Sequence, residues 1–318
     1  MTDYPEFADP MQRPRYSGIP TFMRAPLSED FDNVEIGLVG IPFDGGVTNR
    51  TGARHGPREI RNQSSLMRRI NQATGVNPYD CARVADVGDA WVQSPYNLEN
   101  SLQEIEAFYT RLHAAGVVPV SAGGDHSVSL PILRAIAADR PVGMVHFDAH
   151  CDTGDDYMGS KFHHGAPFRR AVEDGVLDPE RTVQIGIRGA VNDADIWAFS
   201  HDSGMRVIYM EEFYHMGVEA VVAEARRVAG DGPVYVSFDV DGLDPVYAPG
   251  TGTPEVGGFS TLEALMMIRG LRGLDVIGSD VVEVAPPFDP SGTTALTGAT
   301  LMYELLCLTA ESLAARRG

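Results

Sequence analysis

Apolar positions along this chain fall into short runs separated by longer amphipathic stretches. Residues 34–41, 83–87, 117–121, 144–147, 182–187, 206–210, 234–238 and 274–284 read as eight strands, each rich in Val, Ile or other apolar side chains. Between them the period changes from continuous to helical. Leu98, Leu102, Ile105, Tyr109 and Leu112 recur at spacings of four and three and stop at Gly116. Val218, Val221, Val222, Ala225 and Val228 repeat the pattern and end near Gly230. Pro57 sits where a helix tolerates it best, in the first turn, and Ser260 with Glu263 forms a capping box for another helix. Strands alternating with helices predict one three-layer α/β/α domain with a parallel, doubly wound, eight-stranded sheet. Ligands of such sheets gather at the carboxyl ends of the strands.

Residues 1–33 break this rhythm. They carry Pro5, Pro10, Pro14, Pro20 and Pro26 with little periodicity, which predicts an irregular arm lying over the domain or over a neighbouring subunit. Residues 34–318 then form the domain, with no linker, repeat or low-complexity tract inside it. The 318 residues are enough for a large core, and no window holds the unbroken apolar run of ~20 residues that a membrane helix needs. The net charge of −19 argues against nucleic acid and anionic membranes as partners and favours a cationic substrate in a general way. Cys81, Cys151 and Cys307 are odd in number and far apart, as expected of reduced thiols. Together with the acidic opening Met1-Thr2-Asp3-Tyr4-Pro5-Glu6, which lacks the features of a secretory signal, they predict a cytoplasmic protein.

The chemistry concentrates at three strand ends. Met144-Val145-His146-Phe147 runs into Asp148-Ala149-His150-Cys151-Asp152, so that Asp148, His150 and Asp152 fall at i, i+2 and i+4; in extended chain they point to one side, and Cys151 points away as a buried thiol. Asp239 and Asp241 repeat the pattern at the end of the seventh strand, and Gly123-Gly124-Asp125-His126 follows the third. Four carboxylates brought together repel one another unless cations lie between them, and two divalent ions would cancel the charge. Oxygen-rich ligation with a minority of imidazole suits Mn²⁺ better than a thiolate-loving metal. Gly45, Gly46, Gly52 and Gly56 match neither a Walker loop nor a dinucleotide fingerprint, so phosphate binding is not expected there.

Gly123-Gly124-Asp125-His126-Ser127, His146-Phe147-Asp148-Ala149-His150-Cys151-Asp152 and Ser237-Phe238-Asp239-Val240-Asp241-Gly242-Leu243-Asp244-Pro245 resemble the three signatures of the ureohydrolases, the arginase and agmatinase family. The resemblance runs from about Gly37 to Leu308 and includes the stretches 250–258 and 282–286. It implies an arginase-like fold, two Mn²⁺ ions and hydrolysis of a guanidino compound to urea and an amine. It also implies that Asp148 and Asp239 bridge both ions, that His126 and Asp152 complete one site, and that His150 and Asp241 complete the other. Glu283 would pin the guanidinium, Asp152 would take a proton from the attacking hydroxide, and His164 would pass a proton to the leaving amine. A homo-oligomer, trimer or hexamer, is likewise implied by resemblance alone.

The loop 153–161 lies between the comb and His163-His164, where a substrate tail should pass. It departs from the arginase pattern. Tyr157 is similar to the aromatic found there in relatives acting on short guanidino acids such as 3-guanidinopropionate, and Asp44-Gly45-Gly46-Val47-Thr48-Asn49-Arg50 adds to that resemblance, with 4-guanidinobutyrate and agmatine as the next substrates; His163 lies in the loop beside His164. A tail carboxylate could use Lys161 and a tail ammonium could use Asp155 or Asp156. A formimino hydrolase and a single-zinc deacetylase are the more distant enzymatic alternatives; a metal-dependent binding protein is the non-enzymatic one.

Overall fold

The computed structural model describes residues 7–193 and 196–317, so residues 1–6 of the expected arm and residues 194, 195 and 318 of the expected domain lie outside the described residues. Eight strands form one parallel sheet: β1 (Ile36–Gly40), β2 (Val84–Asp89), β3 (Val118–Ala122), β4 (Val142–Phe147), β5 (Leu177–Ile187), β6 (Arg206–Tyr209), β7 (Pro233–Asp239) and β8 (Asp275–Val282). Their order across the sheet is β2-β1-β3-β8-β7-β4-β5-β6. All eight expected strands are present, with ends shifted by a few residues. The helices are α1 (Gly56–Ser64), α2 (Pro78–Cys81), α3 (Leu98–Ala114), α4 (Ser129–Ile136), α5 (Pro167–Glu173), α6 (Ala198–Asp202), α7 (Met210–Ala229), α8 (Thr261–Gly270) and α9 (Thr293–Ala315).

The strand period of two sorts side chains to the two faces. Val145 and Phe147 of β4 and Val234, Val236 and Phe238 of β7 face a cluster that includes Ile60 of α1, Val221 of α7, Met267 of α8 and Leu305 of α9. Met144 and Tyr235 face the opposite cluster with Ile105 of α3, Leu133 of α4 and Phe168 of α5. These are the three layers expected of a sheet covered on both sides. The capping box of Ser260 and Glu263 starts α8, and Pro57 lies in the first turn of α1. Gly217, at φ 74°, divides α7 into two helical stretches. The 23-residue α9 was not anticipated; its mostly buried surface gives no amphipathic period to read.

In the described part of residues 7–33 the chain is irregular apart from a short turn at Phe22–Arg24. Phe22 and Met23 are nonetheless fully buried and belong to the core, and the Arg61 guanidinium stacks over the Phe22 ring at 4.0 Å.

The ends of β3, β8, β7 and β4 are neighbours, and at roughly 4.8 Å between strands they span a patch about 15 Å wide. Connections cross just above it. The Phe43 carbonyl accepts from Asp125 N–H at 2.9 Å, and Gly124 O accepts from Glu283 N–H at 2.8 Å. A Cβ on Gly124 would lie 1.5 Å from the Phe43 carbonyl oxygen, so only glycine lets the loop after β3 pass under the loop after β1. Gly124→Ala is therefore expected to cost at least ~3 kcal/mol, the upper part of the usual overpacking range. Urea unfolding checks this, and an unchanged midpoint would contradict the packing described.

Candidate metal centre

Three strand ends deliver the side chains. Asp148 follows β4 directly, Asp239 ends β7, Asp241 lies in the turn Val240–Gly242 after it, and His126 opens the turn His126–Val128 after β3. The extended comb expected for 148–152 does not form. β4 ends at Phe147, and the chain turns, with Asp152 at φ 52°. The turn is local: Asp148 Oδ1 accepts from the His150 amide at 2.6 Å, an Asx contact that competes with the ladder. The functional side chains still converge, through loop curvature rather than strand alternation. Cys151 is buried with Ile187 and Val207, as expected.

His126 is the hub. Its Nδ1 lies 3.1 Å from Asp148 Oδ2, 2.9 Å from Asp152 Oδ2 and 3.3 Å from Asp239 Oδ2. Among the described residues none of these completes a well-aligned hydrogen bond to it, although the ring is fully buried. Three acceptors around one ring nitrogen is an arrangement a cation satisfies and a single proton does not. A second group forms beside it, with His150 Nδ1 3.4 Å from Asp148 Oδ1 and 3.2 Å from Asp241 Oδ2. Asp148 belongs to both groups.

The electrostatics agree. Burial pushes Asp239 well above the ordinary carboxylate range, and Asp241 and Asp148 add to the shift. Asp241 is pushed up to about 6, by burial first and then by Asp148. Asp148 goes the other way: against its burial, His146, His126 and His150 hold it well below its usual range. Burial opposes charge on His126 and His150, but their carboxylate neighbours raise both well above an ordinary imidazole. Without a cation, protons must balance the charge here; divalent ions replace them.

Glu283, one residue past β8 and at φ 63°, stands next to this group. Its Oε1 accepts from the His126 amide at 3.0 Å and lies 2.8 Å from His164 Nδ1. Its Oε2 is buried and has no partner among the described residues. The His164 Nε2 lies 3.2 Å from the Thr48 amide nitrogen and 2.7 Å from Thr48 Oγ1. Burial works against a charged His164, but the Glu283 carboxylate lifts it to about 9. His164 is thus a buried, doubly held imidazole rather than an exposed loop residue.

His163 and Tyr157 form the rim. Their rings lie 5.7 Å apart, Tyr157 is 43% exposed, and burial lowers the His163 pKa. The loop's charges are already engaged. Asp155 accepts from Arg170 Nη2 at 2.9 Å and pairs with Arg169 at 3.2 Å, and Lys161 lies 3.9 Å from it. Asp156 accepts from the Gly159 amide at 2.8 Å.

Several contributors escaped the sequence reading. Thr48 was visible only inside the stretch 44–50, and Asp125 only as part of a motif. Asp125 ties the Gly46 amide, at 2.7 Å, to the ligand loop. Arg188 spends its guanidinium on the carbonyls of Gly186, Asp241, Gly242, Leu243, Glu255 and Val256 and so fixes the Asp241 turn against the 250–258 loop. His146, in the quoted motif but not among the expected ligands, lies with Nε2 2.8 Å from Asp148 Oδ2.

Metal dependence gives a direct check. Chelation followed by Mn²⁺ at a hundredfold excess over its dissociation constant is expected to raise stability by about 2.7 kcal/mol per bound ion. Thermal melts with and without the ion measure this, and identical melts would remove the metal centre from the argument.

Known proteins place the geometry. A model of the arginase family matches residues 34–307. Guanidinopropionase from Pseudomonas aeruginosa is 61% identical over 313 residues, covering 98% of this chain and 98% of the relative. Mitochondrial agmatinase from Gallus gallus is 48% identical over 292 residues, covering 92% of this chain and 86% of the relative. The solved structure of proclavaminate amidino hydrolase from Streptomyces clavuligerus superposes with a TM-score of 0.90 at 37% identity, covering 94% of this chain and 99% of that one. A chain with this sheet order, these strand-end carboxylates and these relatives is a metal-dependent ureohydrolase and belongs to the arginase family.

Proposed function

We propose that the protein hydrolyses 3-guanidinopropionate to β-alanine and urea with two bound Mn²⁺ ions. One observation carries the guanidino part: Glu283 Oε1 is held by the His126 amide and His164, whereas its buried Oε2 has no partner among the described residues and calls for a hydrogen-bond donor, best a cationic one. A guanidinium supplies one. The substrate choice is supported by the 61% identity to guanidinopropionase along nearly the whole of both chains.

The donor set fits the ions. His126, Asp152, Asp148 and Asp239 would hold one, and His150, Asp241, Asp148 and Asp239 the other. Mn²⁺ is favoured by the oxygen-rich, thiolate-free set. When bound, such a pair provides Lewis acidity and activates water at neutral pH. The chain's own groups do the rest. Glu283 Oε2 orients the guanidinium. Asp152 takes the proton of the attacking water. His164, held between Glu283 and Thr48, delivers a proton to the departing amine. Tyr157 and His163 flank the tail.

Agmatine is the second reading. It would need a free acid for its ammonium tail, and Asp155 is already shared among Arg169, Arg170 and Lys161. We take the chain as a cytoplasmic homo-oligomer, trimer or hexamer, with residues 1–33 as an arm on the 34–318 domain; the exposed Met11, Tyr16 and Ile19 of that arm support an intersubunit role.

Urea release from 3-guanidinopropionate, 4-guanidinobutyrate, agmatine and arginine by Mn²⁺-loaded protein tests the substrate. The highest kcat/KM is expected for the first, and a preference for agmatine would overturn that choice. Glu283→Gln leaves the shape but removes the charge facing the guanidinium. It should lower kcat/KM at least ~30-fold, equivalent to the ~2 kcal/mol lower bound for breaking a buried charge pair. A loss of a few-fold or less would remove Glu283 from this role.

A further inference from the structure

His126 can offer Nδ1 to a metal only if its proton sits on Nε2, and the side chains behind it decide where that proton sits. In the pairing of β7 with β8, Ser237 lies opposite Asp280. Ser237 Oγ donates to Asp280 Oδ1 at 2.7 Å and lies 2.8 Å from His126 Nε2. Asp280 Oδ2 accepts from Tyr235 OH and from Ser129 Oγ, both at 2.6 Å. All five residues are buried, Tyr235, Ser237 and Asp280 without any exposed surface.

We propose that Asp280, acting through Ser237, is a positioning residue that holds His126 in the tautomer protonated on Nε2, with the Nδ1 lone pair turned toward Asp148, Asp152 and Asp239. The argument is a proton count. A serine hydroxyl has one proton and two lone pairs. The Ser237 proton is committed to Asp280, so Ser237 Oγ presents only lone pairs to His126, and Nε2 must be the donor. Asp280 accepts from three hydroxyls, which leaves it an acceptor for Ser237. An Asn at 280 presents an amide that can donate to Ser237 instead. The hydroxyl then turns its proton to Nε2, and the ring proton of a neutral His126 moves to Nδ1, where it faces the carboxylates and blocks the metal. Outer partners of ligating histidines act in this way in metal sites generally.

This inference rests on reading His126 as a metal ligand, so the experiment separates the two. Mn²⁺ is titrated calorimetrically into metal-free protein, and electron paramagnetic resonance follows the spin coupling of the paired ions. His126→Asn should lose one of two ions. Ser237→Ala and Asp280→Asn should each weaken one ion by roughly 10- to 100-fold, the range seen for outer-shell changes, while the other ion keeps its affinity. Ser237→Thr restores the hydroxyl and should restore binding. Tyr235→Phe and Ser129→Ala remove outer donors without touching the Ser237 proton and should bind both ions as the unaltered protein does.

If His126→Asn binds two ions, the ligand assignment itself fails. If His126→Asn loses an ion but folded Ser237→Ala or Asp280→Asn keeps both affinities, only the relay fails. Equal weakening by Tyr235→Phe and Ser129→Ala would reduce the effect to core damage and overturn the proposal. Should Ser237→Ala not fold, Asp280→Asn, which keeps the side-chain volume, answers alone. Failure of both to fold while the two outer variants fold normally would assign Asp280 to the core, and that also overturns it.

Discussion

Everything at the carboxyl edge of this sheet is arranged around a charge that the protein alone cannot neutralise. Asp148, Asp152 and Asp239 all approach one nitrogen of His126, and Asp241 sits in the adjoining group with His150. Burial in a low-dielectric setting makes each uncompensated charge expensive, and packing carboxylates together adds to the cost. The opposed shifts within one group, with Asp148 driven down and Asp239 and Asp241 driven up, are the signature of that conflict. Divalent ions bound as proposed would resolve it for all four acids at once, and metal binding would then be a condition of the architecture as well as of the chemistry.

The fold supports this in two ways. Placing β8 and β7 between β3 and β4 makes the strand ends that carry His126, Glu283, Asp239 and Asp148 adjacent, although they come from distant parts of the chain. Backbone strain then aims two of the side chains. Asp152 and Glu283 both adopt positive φ without being glycine, at about 1–2 kcal/mol each. Such conformations persist where the surroundings over-determine them, and here they do. The Glu283 amide donates to Gly124 O, and the Asp152 carbonyl accepts from the Phe168 amide, so neither peptide can rotate freely.

Much of this was legible in the sequence. Eight apolar runs gave eight strands, and the acids of 148–152 and 239–241 together with His126 were brought into one place. Other features were not, and three show why. The comb of 148–152 was expected as extended chain, because alternate spacing reads as a strand; the Asx contact from Asp148 to the His150 amide bends it instead. The partnership of Ser237 with Asp280 depends on the register between β7 and β8, which no local pattern encodes. The burial of Phe22 and Met23 was hidden because an irregular segment has no period, even where its side chains enter the core.

The rim of the site shows why charge counting along a loop misleads. Asp155, Asp156 and Lys161 looked like alternative partners for a substrate tail of either sign. Arg170, however, is nearly buried, and its guanidinium reaches Asp155 and Glu173. Releasing Asp155 would leave Arg170 with Glu173 alone and break part of a nearly buried ion-pair group, so Asp155 is held by the scaffold. Its pull, with Arg169 and Lys161 on the same carboxylate, anchors the 153–163 loop against α5. What the loop then presents beside the centre is the Tyr157–His163 pair of rings. If the tail passes this loop as proposed, selection among guanidino compounds falls to its length and shape more than to a dedicated counter-charge, and that is the discrimination a pair of rings on a pinned loop can provide.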